Sequence, residues 1–154
     1  MRSVPSLLSM LGEPDRASPV IMPWTYVRMR REAARLSIAQ VARHFWTRPE
    51  HQYDVERHFR DLETEGLRFK RVYRTEGQPY FFSHDVYHQL SNLPPHQHPR
   101  LCTRCAWDEH SQQYDHDGND TRWSTEDPAI CTRCEQQLSW ERDRSTPGGD
   151  RHAA

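Results

Sequence analysis

The chain has 154 residues, 34% of them hydrophobic, a mean hydropathy of -1.04 and a formal net charge of -1. No stretch approaches the roughly 18 consecutive apolar residues of a membrane-spanning helix, and the patch at residues 7–11 is too short for a secretory leader, so a cytoplasmic protein with reduced cysteines is expected. The charge is divided: residues 24–76 hold twelve basic and eight acidic groups, residues 77–154 hold seven and twelve, and a polyanion is expected to meet the middle.

Residues 1–23 contain Pro5, Pro14, Pro19 and Pro23 and read as a flexible arm. Residues 24–35 fit a helix with Val27, Met29, Ala33 and Ala34 able to form its apolar face. Ser37 and Gln40 make a capping box that opens a second helix to residue 45, with Ile38, Val41, Ala42 and Phe45 turned to the core. The same signal recurs at Thr47 and Glu50, so a third helix is expected there, carrying Val55, Phe59 and Leu62 and stopped by Gly66. Residues 67–82 fit neither period cleanly, and the turn signal Glu76-Gly77 predicts a hairpin. Ser83 caps a last helix over 85–91 with Val86 and Leu90 facing inward. The fold class is therefore mainly α: a helical domain over 24–92, a Pro-rich linker at 93–100, a small zinc-ribbon-like module over 101–142 and a disordered tail at 143–154.

The module carries the sharpest chemical signal. A Cys-x-x-Cys unit turns two sulfurs toward one point, and two such units, Cys102 with Cys105 and Cys131 with Cys134, supply the four soft ligands of a closed tetrahedral zinc site. The intervening 25 residues exceed the usual spacing of about 15 to 20, and the excess can loop out. Two disulfides would need an oxidising compartment, and a redox pair would need a βαβ surround. His96, His98, His110 and His116 lie near enough in sequence to substitute as ligands but are not required. Inside the loop, Asp115, Asp117, Asn119, Thr121, Trp123 and Glu126 match the ligand spacing of an EF-hand, yet Asp120 stands where the sharp turn calls for glycine, so calcium is not expected to bind tightly.

Residues 30–42, Arg-Arg-Glu-Ala-Ala-Arg-Leu-Ser-Ile-Ala-Gln-Val-Ala, together with Leu62-Glu63-Thr64-Glu65-Gly66, resemble lambda-repressor-like, Xre-type helix-turn-helix domains. The resemblance implies a helix-turn-helix bundle over 24–92 whose third helix enters the DNA major groove. Three features depart from that pattern: Arg35 where Gly is usual, about eight extra residues between Ala42 and Gly66, and the hairpin. The order of helical part, Cys-Thr-Arg-Cys, Trp123 and second Cys-Thr-Arg-Cys also resembles uncharacterised proteins of bacteria and their phages.

Two functions follow. In a transcription regulator, Arg28, Arg31 and Arg43 contact phosphates of double-stranded DNA while Arg48, His51 and Gln52 read bases. In a protein-binding adaptor, Trp24, Trp46, Trp107 and Trp123 or the acidic tail supply the contact surface. No phosphate-binding glycine loop, nucleophile elbow or His-Glu-x-x-His occurs, so no catalytic residues are assigned.

Overall fold

The computed structural model describes residues 19–72 and 82–146. Among them are α1 (Pro23–Ala33), α2 (Ile38–Ala42), α3 (Gln52–Leu62), α4 (His84–Asn92) and α5 (Thr132–Ser145), with two isolated antiparallel bridges, so the molecule is mainly α. No helix of the described residues is long and apolar enough to cross a membrane.

Pro23 opens α1 in the first turn, where its missing N–H has no partner to lose. The helix ends in a paired bond that needs a left-handed residue. Arg35 N–H donates to the Glu32 carbonyl at 2.9 Å and Leu36 N–H reaches the Arg31 carbonyl at 3.4 Å. Arg35 itself, at φ 59°, takes the conformation that glycine adopts most easily. Two residues later the Ser37 box forms as expected: Ser37 Oγ accepts the Gln40 N–H at 3.1 Å, and Gln40 Oε1 accepts the Ser37 N–H at 2.8 Å.

Three local expectations need correction. α2 stops at Ala42 rather than residue 45, because the chain tightens into turns in which His44 and Phe45 donate to the Val41 and Ala42 carbonyls. The Thr47 and Glu50 box does not form. Pro49 holds Arg48 in extended backbone, so a short 3-10 turn at Pro49–His51 starts beyond the reach of Thr47 and α3 begins only at Gln52. Residues 67–72 form no strand, and the turn of the expected hairpin lies outside the described residues. The Ser83 cap, whose Oγ accepts the Val86 N–H at 3.2 Å, behaves as expected; Gly66 takes the expected left-handed conformation, φ 85°, but in the turn after α3, which has already ended at Leu62.

α1 packs on α4 and α2 on α3. Between them lie Tyr26, Val27, Val41, Val55, Phe59, Leu62, Phe82, Tyr87 and Leu90 in one cluster, and each large side chain contributes about 1.5 to 3 kcal/mol by leaving water. The two buried phenols also fasten backbone. Tyr26 Oη accepts the Ser83 N–H at 2.8 Å and Tyr87 Oη accepts the Phe69 N–H at 3.1 Å, while burial pushes both hydroxyls above the usual tyrosine range.

Pro94 and His98 are extended on either side of a 3-10 turn, Pro95–Gln97. Beyond that connector the chain packs onto α1 instead of standing apart: Ala106 is buried in the helical core, and Ala33 packs against the cysteine cluster. α5 has no counterpart among the sequence-based expectations and runs to Ser145, into the segment read as a tail.

Candidate metal centre

Each Cys-Thr-Arg-Cys unit is bent by its own backbone. In the first, Ala106 N–H donates to the Cys102 carbonyl and Cys102 N–H to the Trp107 carbonyl, both at 2.8 Å, with Ala106 turned to φ 57°. In the second, Cys131 is the N-cap of α5 and Cys134 lies in its first turn, with Glu135 N–H donating to the Cys131 carbonyl at 3.0 Å. Thr103 N–H to the Ala129 carbonyl, at 3.0 Å, ties the first unit to the segment leading into the second, and the bridge between Trp123 and Cys131 fastens the loop to the second.

All four cysteines are buried free thiols, with Cys102 to Cys134 and Cys105 to Cys131 both 3.7 Å sulfur to sulfur and every ligand atom within 4.8 Å of the others. A disulfide requires about 2.05 Å. A tetrahedral ion bonded to sulfur at about 2.3 Å needs edges of about 3.8 Å, which the two pairs at 3.7 Å match, so the set could hold a metal ion. Hydrogen bonding from Cys105, Cys131 and Cys134 drives the Cys102 thiol below its ordinary value, and the neighbouring Cys102 in turn pushes Cys131 and Cys134 up. Four thiolates this close oppose one another's ionisation, and a cation among them removes the conflict.

The surroundings already favour negative sulfur. Cys131 N–H donates to Cys102 Sγ at 3.4 Å, and Gln113 Nε2 lies 4.0 Å from Cys131 Sγ. Buried Trp107 and Ile130, with Trp123 and Leu138 against them, cover the cluster, and the Arg100 guanidinium sits 3.7 Å above the Trp123 ring.

Gln113 also joins the centre to the helical part. The buried Arg30 of α1 donates to Gln113 Oε1 at 3.0 Å and to the Cys105 carbonyl at 3.0 Å, so one guanidinium touches both the first knuckle and the residue beside the second. Neither role is visible in a linear reading, since the partners lie 75 and 83 residues away.

Among the described residues the four cysteines form the one group of His, Cys, Asp and Glu side chains close enough to share an ion. His98 bonds the Leu93 carbonyl, His110 is exposed, His116 packs on Trp140 at 4.7 Å between centroids, and His96 meets Gln97. The acidic loop satisfies itself: Asp115 Oδ1 accepts the N–H groups of Asp117 and Asn119, both at 2.9 Å, and Gly118, at φ 83°, makes the sharp turn.

The residues expected to meet DNA divide into two sets. Arg48, His51 and Gln52 are exposed at the start of α3, Gln52 donating to Glu56 at 2.8 Å. Arg28 is exposed beside the Glu63 carbonyl, and Arg43 lies over Trp46 at 4.4 Å. Arg31 is placed differently from the expected phosphate contact. It holds both Glu63 carboxylate oxygens and the Leu36 carbonyl, an internal strut from α1 to the end of α3. Of the four tryptophans expected at a protein contact, Trp107 and Trp123 pack in the sulfur cluster, Trp46 lies under Arg43, and Trp24 is half-buried near Arg68. No protein-family model, curated protein or solved structure matches the chain.

Proposed function

We propose that the protein is a DNA-binding transcription regulator in which α2 and α3 form a helix-turn-helix and a structural zinc ion in the four-cysteine site braces the domain. The observation that carries the reading is the start of α3. Arg48, His51 and Gln52 stand in solvent at one end of a helix whose opposite face, Val55, Phe59 and Leu62, is locked into the core. Arg pairs with guanine and Gln with adenine in the major groove, so these side chains have the chemistry to read bases. Arg28 and Arg43 are exposed for phosphate, while the Arg31 strut holds the reading helix at a set angle to α1.

Zinc suits the site because four thiolates complete its tetrahedral shell and leave no position for water, which gives the ion a folding role and no catalytic one. The adaptor reading draws on exposed tryptophans, and the packing of Trp107 and Trp123 against sulfur takes support from it. Fluorescence anisotropy on a selected duplex at two salt concentrations tests the regulator. Arg48→Ala and Gln52→Ala are each expected to cost about 1 to 3 kcal/mol on the preferred site and to relax its sequence preference. An affinity of roughly 10⁻⁴ to 10⁻⁶ M without sequence preference contradicts the reading.

A further inference from the structure

Arg104 and Arg133 occupy the same place in the two Cys-Thr-Arg-Cys units. The fold makes that sequence repeat a spatial one, since both arginines line one cavity of about 160 Å³ where α1, the first knuckle and α5 meet. Arg35, the left-handed residue that ends α1, lines it as well, beside Gln137. Glu32 is the one carboxylate on the wall, so the lining arginines leave a positive excess. Arg104 pairs with Glu141 at 3.5 Å, but the side chains are 36% and 50% exposed, and such a pair exchanges partners at little cost.

Two kinds of negative charge could answer this cluster. The first is the centre itself, since four thiolates on a divalent ion leave a net charge of about -2 and Cys105 and Cys134 also line the cavity. Yet among the described residues none of the three arginine side chains donates to a sulfur. The second is an oxyanion from solution, for which guanidinium forks are the best-matched donors. The space falls below the roughly 300 Å³ at which ordinary small-molecule pockets begin, which suits one tetrahedral group and excludes a nucleoside. Its position favours the backbone of a nucleic acid. Arg35 precedes the Ser37 cap of α2 by two residues, and in helix-turn-helix proteins the first helix of the pair crosses the phosphate backbone.

We propose that the cleft of Arg35, Arg104 and Arg133 binds a phosphate group, contributed by the backbone of the bound DNA. The source of the phosphate rests on the DNA-binding reading; the oxyanion chemistry rests on the cleft alone. The test compares the full-length, zinc-loaded wild type with Arg35→Gln/Arg133→Gln at matched zinc content. One arm measures duplex affinity across a salt series, and a second titrates inorganic phosphate.

Loss of two phosphate contacts is expected to lower the slope of log K against log salt by about two units. Should the double variant shed its zinc, Arg35→Gly, which suits the left-handed backbone, takes its place with an expected drop of about one unit. Weakened inorganic phosphate binding with unchanged duplex affinity keeps the oxyanion site and overturns the DNA backbone as its source. Failure of the DNA reading itself is separable, because it shows as indifference to Arg48→Ala and Gln52→Ala, which lie outside the cleft. An unchanged salt slope and unchanged phosphate binding, with faster zinc loss to a chelator, overturns the proposal and leaves the arginines as counter-charges of the sulfur centre.

Discussion

The helical part and the cysteine part are built around different interiors. The first buries Tyr26, Phe59, Phe82, Tyr87 and the aliphatic faces of four helices, whereas the second gathers four sulfurs around Trp107 and Ile130. An apolar interior loses stability in increments when one side chain is trimmed. A sulfur interior this small has little apolar area to hold itself, so under the proposed zinc site its order depends on the ion. Each part is vulnerable at its own interior, and Arg30 marks where one vulnerability reaches the other.

The largest effect is expected from the ion. Zinc contributes on the order of 10 kcal/mol or more in small thiolate modules, so Cys131→Ser is expected to abolish fixed structure around residues 101–146 while α1 to α4 stay folded. Amide NMR checks this: lost dispersion confined to the cysteine part supports the comparison, and an unchanged spectrum breaks it. Next comes Phe59→Ala, which removes a ring 2% exposed and is expected to cost the helical part about 3 to 5 kcal/mol in urea unfolding with zinc content unchanged.

Arg30→Met sharpens the comparison at the joint. It leaves the Cys105 carbonyl and Gln113 without their donor, an expected loss of about 1 to 3 kcal/mol, and it should let the two parts melt separately where the wild type melts together. Calorimetry reads the number of transitions. The smallest effect is expected from pH. Burial lowers His58 in the helical part and, with help from Arg133 and Arg35, His116 in the cysteine part, so both rings fold neutral. The unfolded chain then binds protons more readily, and stability that is complete above about pH 6.5 declines as the pH falls below it. Imidazole shifts followed by NMR should show both rings titrating below that value.

Features set by neighbouring residues were legible in the sequence, and features set by distant ones were not. The Ser37 box and the Ser83 cap each lie within a few residues and both form, whereas α3 ends four residues short of the glycine expected to stop it. The cysteine site was legible for the same reason, since each knuckle is a short turn whose sulfurs converge whatever the loop between them does. The start of α3 was misplaced by competition between local signals, with Pro49 overriding the Thr47 cap. α5 was missed because its exposed face is polar and only Cys134 is buried, which leaves little helical period to read. Arg31 was expected at a DNA phosphate, and nothing in the sequence set Arg30 beside it apart. Only the packing of α1 against a knuckle on one side and Glu63 on the other separates them.

The most direct test of the account is elemental analysis of freshly purified protein alongside titration of its reactive thiols. One zinc per chain, with four thiols protected until a chelator is added, is the predicted result. A zinc content near zero with all four thiols free and the cysteine part still ordered would contradict it.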